Sequence, residues 1–401
     1  MIFWKRGMML MAFTIHRIFA FFQLGKLLIL FVLCIISAVP LPSLADPGDT
    51  SICLLKVNKK AAVTFVFDDG FYDVVHDVYL PEFREHGLKG TAALVTEAIE
   101  ESTGIQPFGL LQDPLLFTWA TWTDWNTILA EGYIDVANHS YSHPDLRNVN
   151  PTRLEREVNG SKAILDSHLA NYQTICFIYP YNHHNETIRA KAAEKHYAAR
   201  GGQIGYNSLS PTQEQFFQLL QQDVLMETTN SEMNGWVDTA MAQGSWLIEM
   251  WHDCDNLSNW WPEGSPPCAV IRDHLGYVGS KLTEIWNGTF PEVTKYIRQR
   301  MAGQVTLKAL EAKRIILDLT DTLDDTIFDF PLTLKTELPG SFVLDKPVRV
   351  IQHGRTRLVQ PVQEDGTPYV YYEAIPDRGF IQILSPDYPW RSYFPLIQTG
   401  L

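Results

Sequence analysis

The sequence predicts a parallel α/β barrel followed by a small antiparallel β domain, and three observations carry that prediction. Apolar, strand-like runs alternate with helix-like segments from residue 63 to residue 251. Successive runs end in polar clusters, which in a parallel barrel share one face because the strand C-termini do. From Lys313 onward the pattern changes to short alternating runs between Leu-Pro-Gly, Glu-Asp-Gly and Pro-Asp-Arg-Gly turns.

In chain order, residues 63–67 read as a buried strand of β-branched and aromatic residues running into Asp68, Asp69 and Gly70. Residues 72–86 have helical spacing that should break or restart at Pro81. Residues 87–95 return to strand character, 96–113 read as loop, and 122–132 as an amphipathic helix closed by its glycine. A short strand at 133–137 ends in Asn138-His139-Ser140-Tyr141-Ser142-His143-Pro144. A helix over 153–169, capped by Asn150 or Thr152, leads to a strand at 174–179 that ends in Pro180-Tyr181-Asn182. Residues 187–197 are helical, and the strand at 245–251 stops at His252-Asp253. The last helix is expected over 291–310. Strands follow at 314–319, 342–350, 357–361, 369–374 and 380–384.

Residues 1–45 contain Lys5, Arg6, Arg17 and Lys26 but no acid, then an apolar run over 27–40 and Ser43-Leu44-Ala45. This is the layout of a secretory signal cleaved before Asp46, with an uncleaved membrane anchor as the alternative. The expected organisation is therefore a signal peptide at 1–45, an α/β domain at 46–310 and a β-rich domain at 311–401, in a secreted or periplasmic protein. Without its basic leader the chain is more acidic than its overall net charge of −14, which argues against nucleic acid or anionic lipid as a partner. In an oxidising compartment Cys254 and Cys268, which flank a Trp-, Gly- and Pro-rich loop, are the favoured disulfide; Cys53 with Cys176 is the weaker pairing.

Two carboxylates at the end of a buried strand repel each other and lose solvation unless a cation or proton lies between them. Read alone, Asp68-Asp69-Gly70 serves equally well as a turn. His139 and His143, four apart on a tight turn, can aim both rings at one ion, or can be hydrogen-bonded loop residues. Two imidazoles and a carboxylate leave coordination positions open, the pattern of a catalytic site. Zinc is the default divalent ion, and cobalt, manganese or nickel also fit.

Residues 64–70, His139-Ser140-x-x-His143, Tyr179-Pro180-Tyr181 and 247–252 resemble, in order and spacing, the motifs of the polysaccharide deacetylases, the NodB-homology domain of carbohydrate esterase family 4. The resemblance covers roughly residues 53–301. It implies a distorted (β/α) barrel of the NodB-homology type, a single divalent metal on Asp69, His139 and His143, Asp68 as general base, and His252 as general acid. It also implies an oxyanion contact from the backbone N–H of Tyr181. The implied reaction removes acetyl groups from a carbohydrate, with an N-acetylated amino sugar polymer or oligomer favoured. An O-acetyl (xylan-type) esterase is the near alternative, and a non-catalytic carbohydrate-binding protein is the more distant one. The chain departs from the family twice. Ile178 stands where an Arg usually orients the base, with Arg200 as a possible substitute or a substrate contact. The Asp-Trp pair of the fourth motif is missing, and Asp253 and Asp238 are the candidates to replace its acid. Trp260 and Trp261 either stack on sugar rings or plug the loop under the disulfide. His183 and His184 read as exposed loop residues.

Overall fold

The structure is a computed structural model and describes residues 46–100, 120–255, 257 and 265–389. Residues 1–45 and Trp260 and Trp261 lie outside that set. Pro47–Leu401 forms one compact unit.

Seven parallel strands close a barrel: β2 (Ala61–Phe67), β3 (Gly90–Leu94), β4 (Ile134–Asn138), β5 (Cys176–Ile178), β6 (Ala198–Ile204), β7 (Leu219–Asp223) and β8 (Trp246–Trp251), which pairs back onto β2. The first half of β2 pairs with β9 (Ile285–Asn287) and its second half with β3, so β9 extends the sheet at the barrel's closed end. Side chains of β2 are buried on both faces, as a strand enclosed by helices outside and other strands inside requires. Inside, the Trp246 indole donates to Thr64 Oγ1 at 2.9 Å, and Trp246 packs against Phe290. The interior is a packed core at this end. The opposite end collects the polar clusters.

The predicted strands and helices of the barrel are present, with instructive differences. The segment Tyr72–His86 restarts rather than breaks: after a π turn over Val75–Tyr79 the α-helix Leu80–His86 begins with Pro81 in its first turn, where a missing donor costs least. Asn150, not Thr152, caps the helix that follows it, accepting from Arg153 N. The final barrel helix is Phe290–Ala302 and stops eight residues short of the expectation. The chain turns at Gly303, where a Cβ would lie 2.8 Å from Ile52 Cδ1 and 2.9 Å from Gln299 O, and Gln304–Glu311 continues as a strand.

The β-rich portion is two antiparallel sheets that share one core. The first is ordered β10 (Gln304–Glu311), β11 (Arg314–Thr320), β17 (Ile381–Leu384), β13 (Val348–Gln352), β14 (Arg355–Val359). The second is ordered β1 (Thr50–Ile52), β12 (Leu332–Glu337), β16 (Thr367–Ala374), β15 (Val362–Glu364). Ile315, Leu317, Leu334, Val350, Val370, Tyr372 and Ile383 belong to the same buried cluster as barrel residues Phe177 and Ile248. Because β1 pairs with β12 ahead of the barrel, the chain passes through the β portion before it enters the α/β portion.

Cys254 and Cys268 are disulfide-bonded, as expected. Cys53 and Cys176 are not: both are buried free thiols, and burial pushes them up to about 11 and about 12. Cys176 lies inside β5 and donates to Thr294 Oγ1, which leaves the even cysteine count a misleading guide. Among the described residues no helix is long and apolar enough to cross a membrane.

Candidate active site

The open end of the barrel is built from residues in backbone conformations that L-amino acids rarely adopt. Asp69 (φ 69°), His143 (φ 53°) and Tyr181 (φ 56°) all lie in the left-handed region, at the ends of three different strands. Each such residue costs on the order of 1–3 kcal/mol and persists only where its surroundings fix it. At Asp69 the turn is completed by Gly70 (φ 70°), where a Cβ would sit 2.8 Å from Leu94 Cδ2. The chain can reverse this tightly beside β3 only with glycine there.

The histidine turn after β4 is held by buried polar groups. Asn138 Oδ1 accepts from Ser140 N at 3.0 Å and from Ser161 Oγ at 2.7 Å, and Ser140 Oγ accepts from His143 N at 2.9 Å. The buried carboxylate of Glu157 accepts from Ser142 N (2.8 Å) and Ser142 Oγ (2.7 Å). His139 Nδ1 donates to Ile178 O at 3.0 Å. A carbonyl can only accept, so that bond fixes the tautomer and leaves the Nε2 lone pair facing the barrel mouth.

Three donor atoms meet there. His139 Nε2 and His143 Nε2 are 3.1 Å apart, and Asp69 Oδ1 lies 3.3 Å from the first and 3.2 Å from the second. The edges match the face of a tetrahedron, about 3.3 Å on a side, that metal–ligand bonds of about 2.0–2.1 Å require. Asp69 Oδ1 is buried and makes no hydrogen bond of good geometry. Burial pushes Asp69 up, but His143, His139 and His252 outweigh it and hold the carboxyl well below its usual range. Burial also pushes His143 down to about 4, against the opposing pull of Asp69, so at neutral pH its ring offers a lone pair. This donor set fits a divalent cation.

Asp68, also buried, faces the same mouth, and its partner is Arg200. Arg200 Nη2 donates to Asp68 Oδ1, while Nη1 donates to Gln221 Oε1 at 2.6 Å and Asn182 Oδ1 at 3.1 Å. In the pairing of β5 with β6, Arg200 lies directly alongside Ile178. The guanidinium missing at 178 is thus supplied from the registered position on the next strand. Arg200 is 0 % exposed, which corrects the expectation that it contacts substrate.

His252, at the end of β8, places Nε2 4.0 Å from Asp69 Oδ2 and keeps a small exposed edge. Asp253 beside it is buried, with Oδ1 accepting from Cys254 N at 2.6 Å. Asp238 is not at the site: on the outer helix Asn230–Gln243 it accepts from the Tyr277 hydroxyl at 2.5 Å. The half-exposed Tyr181 ring packs 4.6 Å (centroids) from His143 and forms one wall of the opening. His183 accompanies it, 3.2 Å from Asp145 Oδ2, and His184 bonds Gly201 O at 3.0 Å. Asn138 and Asn182 stand in the strand-end clusters with no role legible from sequence, and Gln221 and Glu157 carry no sequence signal of a site. The nearest to a cue is polar residues within strand-like runs, as in Leu219-Leu220-Gln221-Gln222.

His196 supports the histidine turn from behind. Its Nδ1 donates to Ala192 O (3.1 Å) and its Nε2 accepts from Asn138 Nδ2 (3.1 Å), a neutral arrangement, and burial pushes it down to about 3. The folded protein therefore binds fewer protons here than the unfolded chain between the unfolded value near 6.5 and about 3. Stability from this group is complete above 6.5 and is lost as pH falls through that window, on the order of 3 kcal/mol between pH 7 and pH 4. Urea unfolding of His196→Gln across this range should show a shallower acid limb than the unsubstituted protein. Equal slopes would contradict the assignment.

The barrel with its donor set at the strand ends defines a (β/α) barrel of the NodB-homology type. Residues 56–199 match the polysaccharide deacetylase family. Gellan lyase of a Bacillus species is 25% identical over 364 residues, covering 85% of this chain and 13% of that protein. YxkH of Bacillus subtilis (strain 168), whose name places it among the polysaccharide deacetylases, is 25% identical over 151 residues, covering 37% of this chain and 47% of its own length. The chain thus spans less than half the length of either relative. Among solved structures, the Xyl-CE4 domain of a multidomain xylanase from the hindgut metagenome of Trinervitermes trinervoides aligns with a TM-score of 0.39 and 16% identity, covering 58% of this chain and 89% of that one.

Proposed function

We propose that the protein is a metal-dependent hydrolase that removes acetyl groups from a carbohydrate, with an N-acetylated amino sugar polymer or oligomer as favoured substrate. The observation that carries this reading is the triangle of Asp69, His139 and His143 beside an Arg-paired Asp68, with His252 at the end of the neighbouring strand β8, 4.0 Å from Asp69 Oδ2.

Asp69, His139 and His143 would hold one divalent ion, zinc by default, with cobalt, manganese or nickel also accepted by this donor set. When bound, such an ion polarises an acyl oxygen and lowers the pKa of water to near neutral. Asp68 then serves as the base that takes the proton of the attacking water, and Arg200 keeps its carboxylate aimed into the opening. The backbone N–H of Tyr181 would donate to the developing oxyanion. His252 would pass a proton to the leaving amine or alcohol. Residues 1–45 would direct the chain to the periplasm or outside the cell, in keeping with the Cys254–Cys268 bridge.

The test is metal content and acetate release on N- and O-acetylated glycans, with and without chelator. Asp68→Asn should retain metal and lose about 10²–10⁴-fold in rate, the range for removal of a general base. Full activity in Asp68→Asn would refute the base assignment. Acetate from O-acetylated glycans alone would move the substrate to that class. Absence of both metal and acetate release would leave a carbohydrate-binding protein.

A further inference from the structure

A second candidate site lies in the β-rich portion, in a cavity of about 250 Å³ between the β13–β14 hairpin and the end of β16. Its floor is apolar, from Val350, Ala374 and Ile375, and its rim carries three guanidinium groups, Arg355, Arg357 and Arg378. The chain has 46 acidic and 32 basic residues, so three arginines around one small cavity run against the overall balance.

The acidic residues of the lining are already answered. Glu373 is met by Arg357 at 3.7 Å and by Lys56 at 3.6 Å, and Asp329 by Lys295 at 3.5 Å. Arg355 and Arg378 have no side-chain hydrogen bond or ion pair among the described residues. The excess charge of the rim is therefore positive and available. The walls are pre-formed: Gln352 donates to Ile375 O at 2.7 Å and accepts from Ile375 N at 3.0 Å, locking the hairpin to the segment after β16. Arg357 Nη1 donates to Glu373 O at 2.9 Å, which fixes that guanidinium at the edge. Phe380, two residues beyond Arg378, leaves 57 % of its surface in solvent.

An apolar floor under a ring of guanidinium forks suits a compact ligand with one flat apolar face and one planar anionic group. A uronate residue has both: the pyranose face packs on carbon, and the carboxylate accepts paired N–H bonds from arginine. The volume lies just below the roughly 300–1,000 Å³ of small-molecule sites, which suits one sugar residue and not a folded oligomer. We infer that this cavity binds a carboxylate-bearing sugar residue of an acidic polysaccharide, and so holds the polymer on which the barrel acts. The second clause rests on the proposed deacetylase reading; the binding itself does not.

The experiment is titration of the purified full chain with polygalacturonate, using carboxyl-reduced polygalacturonate and dextran sulfate as comparison polymers. Polygalacturonate should bind in a salt-sensitive manner, its carboxyl-reduced form should not, and Arg355→Ser/Arg378→Ser should weaken binding at least tenfold. Both substituted side chains are exposed, so the variant should unfold at the same temperature as the parent. No binding to polygalacturonate, equal binding by parent and variant, equal binding of the carboxyl-reduced polymer, or binding of dextran sulfate alone would each overturn the inference. Acetate release from a neutral acetylated oligosaccharide is measured in parallel. Its absence in both proteins, with polygalacturonate binding and its loss in the variant as expected, supports the cavity assignment and counts against the barrel reading.

Discussion

Asp69→Ala is expected to lose the bound metal and to lower acetate release by at least about 10³-fold. The residue supplies one of three donor atoms in a triangle with edges of 3.1–3.3 Å, and it is the only anionic one. Without it, the two imidazoles remain, and their Nε2 atoms can share only one hydrogen bond with each other. The site then lacks both charge neutralisation and a third ligand. The large effect follows from what an ion contributes: it takes the pKa of water from about 15.7 to about 7, and no side chain left in the opening replaces that. The decisive measurements are elemental analysis of the purified variant and its rate on an N-acetylated oligosaccharide. One equivalent of metal with a rate within tenfold of the parent would remove Asp69 from the ligand set. Asp69→Asn separates charge from shape: it keeps an oxygen in place and should recover part of the metal content at high metal concentration only.

The parts of this site that the sequence makes legible are those whose signal is local. A mostly apolar run, such as 63–67 with Thr64 or 247–251 with Glu249 as its one polar residue, identifies a buried strand, and the polar residues that end it are then at the barrel mouth. Asp68, Asp69, His139, His143 and His252 are visible for that reason. Arg200 is legible only as a candidate, because its meaning lies in a pairing across 132 residues of sequence with Asp68. It also sits in Ala-Ala-Arg-Gly-Gly-Gln-Ile, whose glycines weaken the strand pattern. Those glycines have a reason: at Gly201 a Cβ would meet Tyr179 Cβ at 3.1 Å and Asn182 Cα at 3.3 Å, so β6 can approach the Tyr179–Asn182 turn only without side chains there. β7 lacks an apolar signature because Gln221 and Gln222 are polar, and at Gln221 that is what contact with the buried guanidinium of Arg200 requires. The helix end at Ala302 is missed because apolar residues beyond Gly303 keep a helix-compatible spacing, whereas their pairing with β11 sets the conformation. The cysteine parity argument fails for Cys53 and Cys176 because an even count constrains numbers and not positions. Cys53 lies by β12, its amide donating to Thr333 O at 2.8 Å, while Cys176 lies within β5.

The pairing of Arg200 with Asp68 also yields the second large expected effect. Arg200→Met should cost about 3–5 kcal/mol of stability, because it leaves a carboxylate buried next to Asp69 with no cation opposite it. Gln221 Oε1 and Asn182 Oδ1 lose their donor in the same step. Asp68→Asn in the same chain should recover 1–3 kcal/mol of that loss, the coupling typical of residues in direct contact, and urea unfolding of the four proteins measures it. Arg200→Lys should not rescue, since one ammonium cannot span Asp68, Asn182 and Gln221 as the planar fork does. If Arg200 acts by positioning Asp68, kcat falls while KM stays near its parent value; a rise in KM alone would mean a substrate contact instead. The registry of β5 and β6 supplies a sharper check. Ile178 and Arg200 are neighbours across a parallel pair and both side chains are buried. Registered neighbours project to the same face of a sheet. Ile178→Arg combined with Arg200→Met therefore moves the guanidinium one strand over while keeping it on the face that Asp68 occupies. Partial return of kcat in that double variant, above Arg200→Met alone, would show that the site needs the cation and not its address in the chain. A kcat no better than that of Arg200→Met would show that the Asn182 and Gln221 bonds from β6 are themselves part of how Asp68 is aimed.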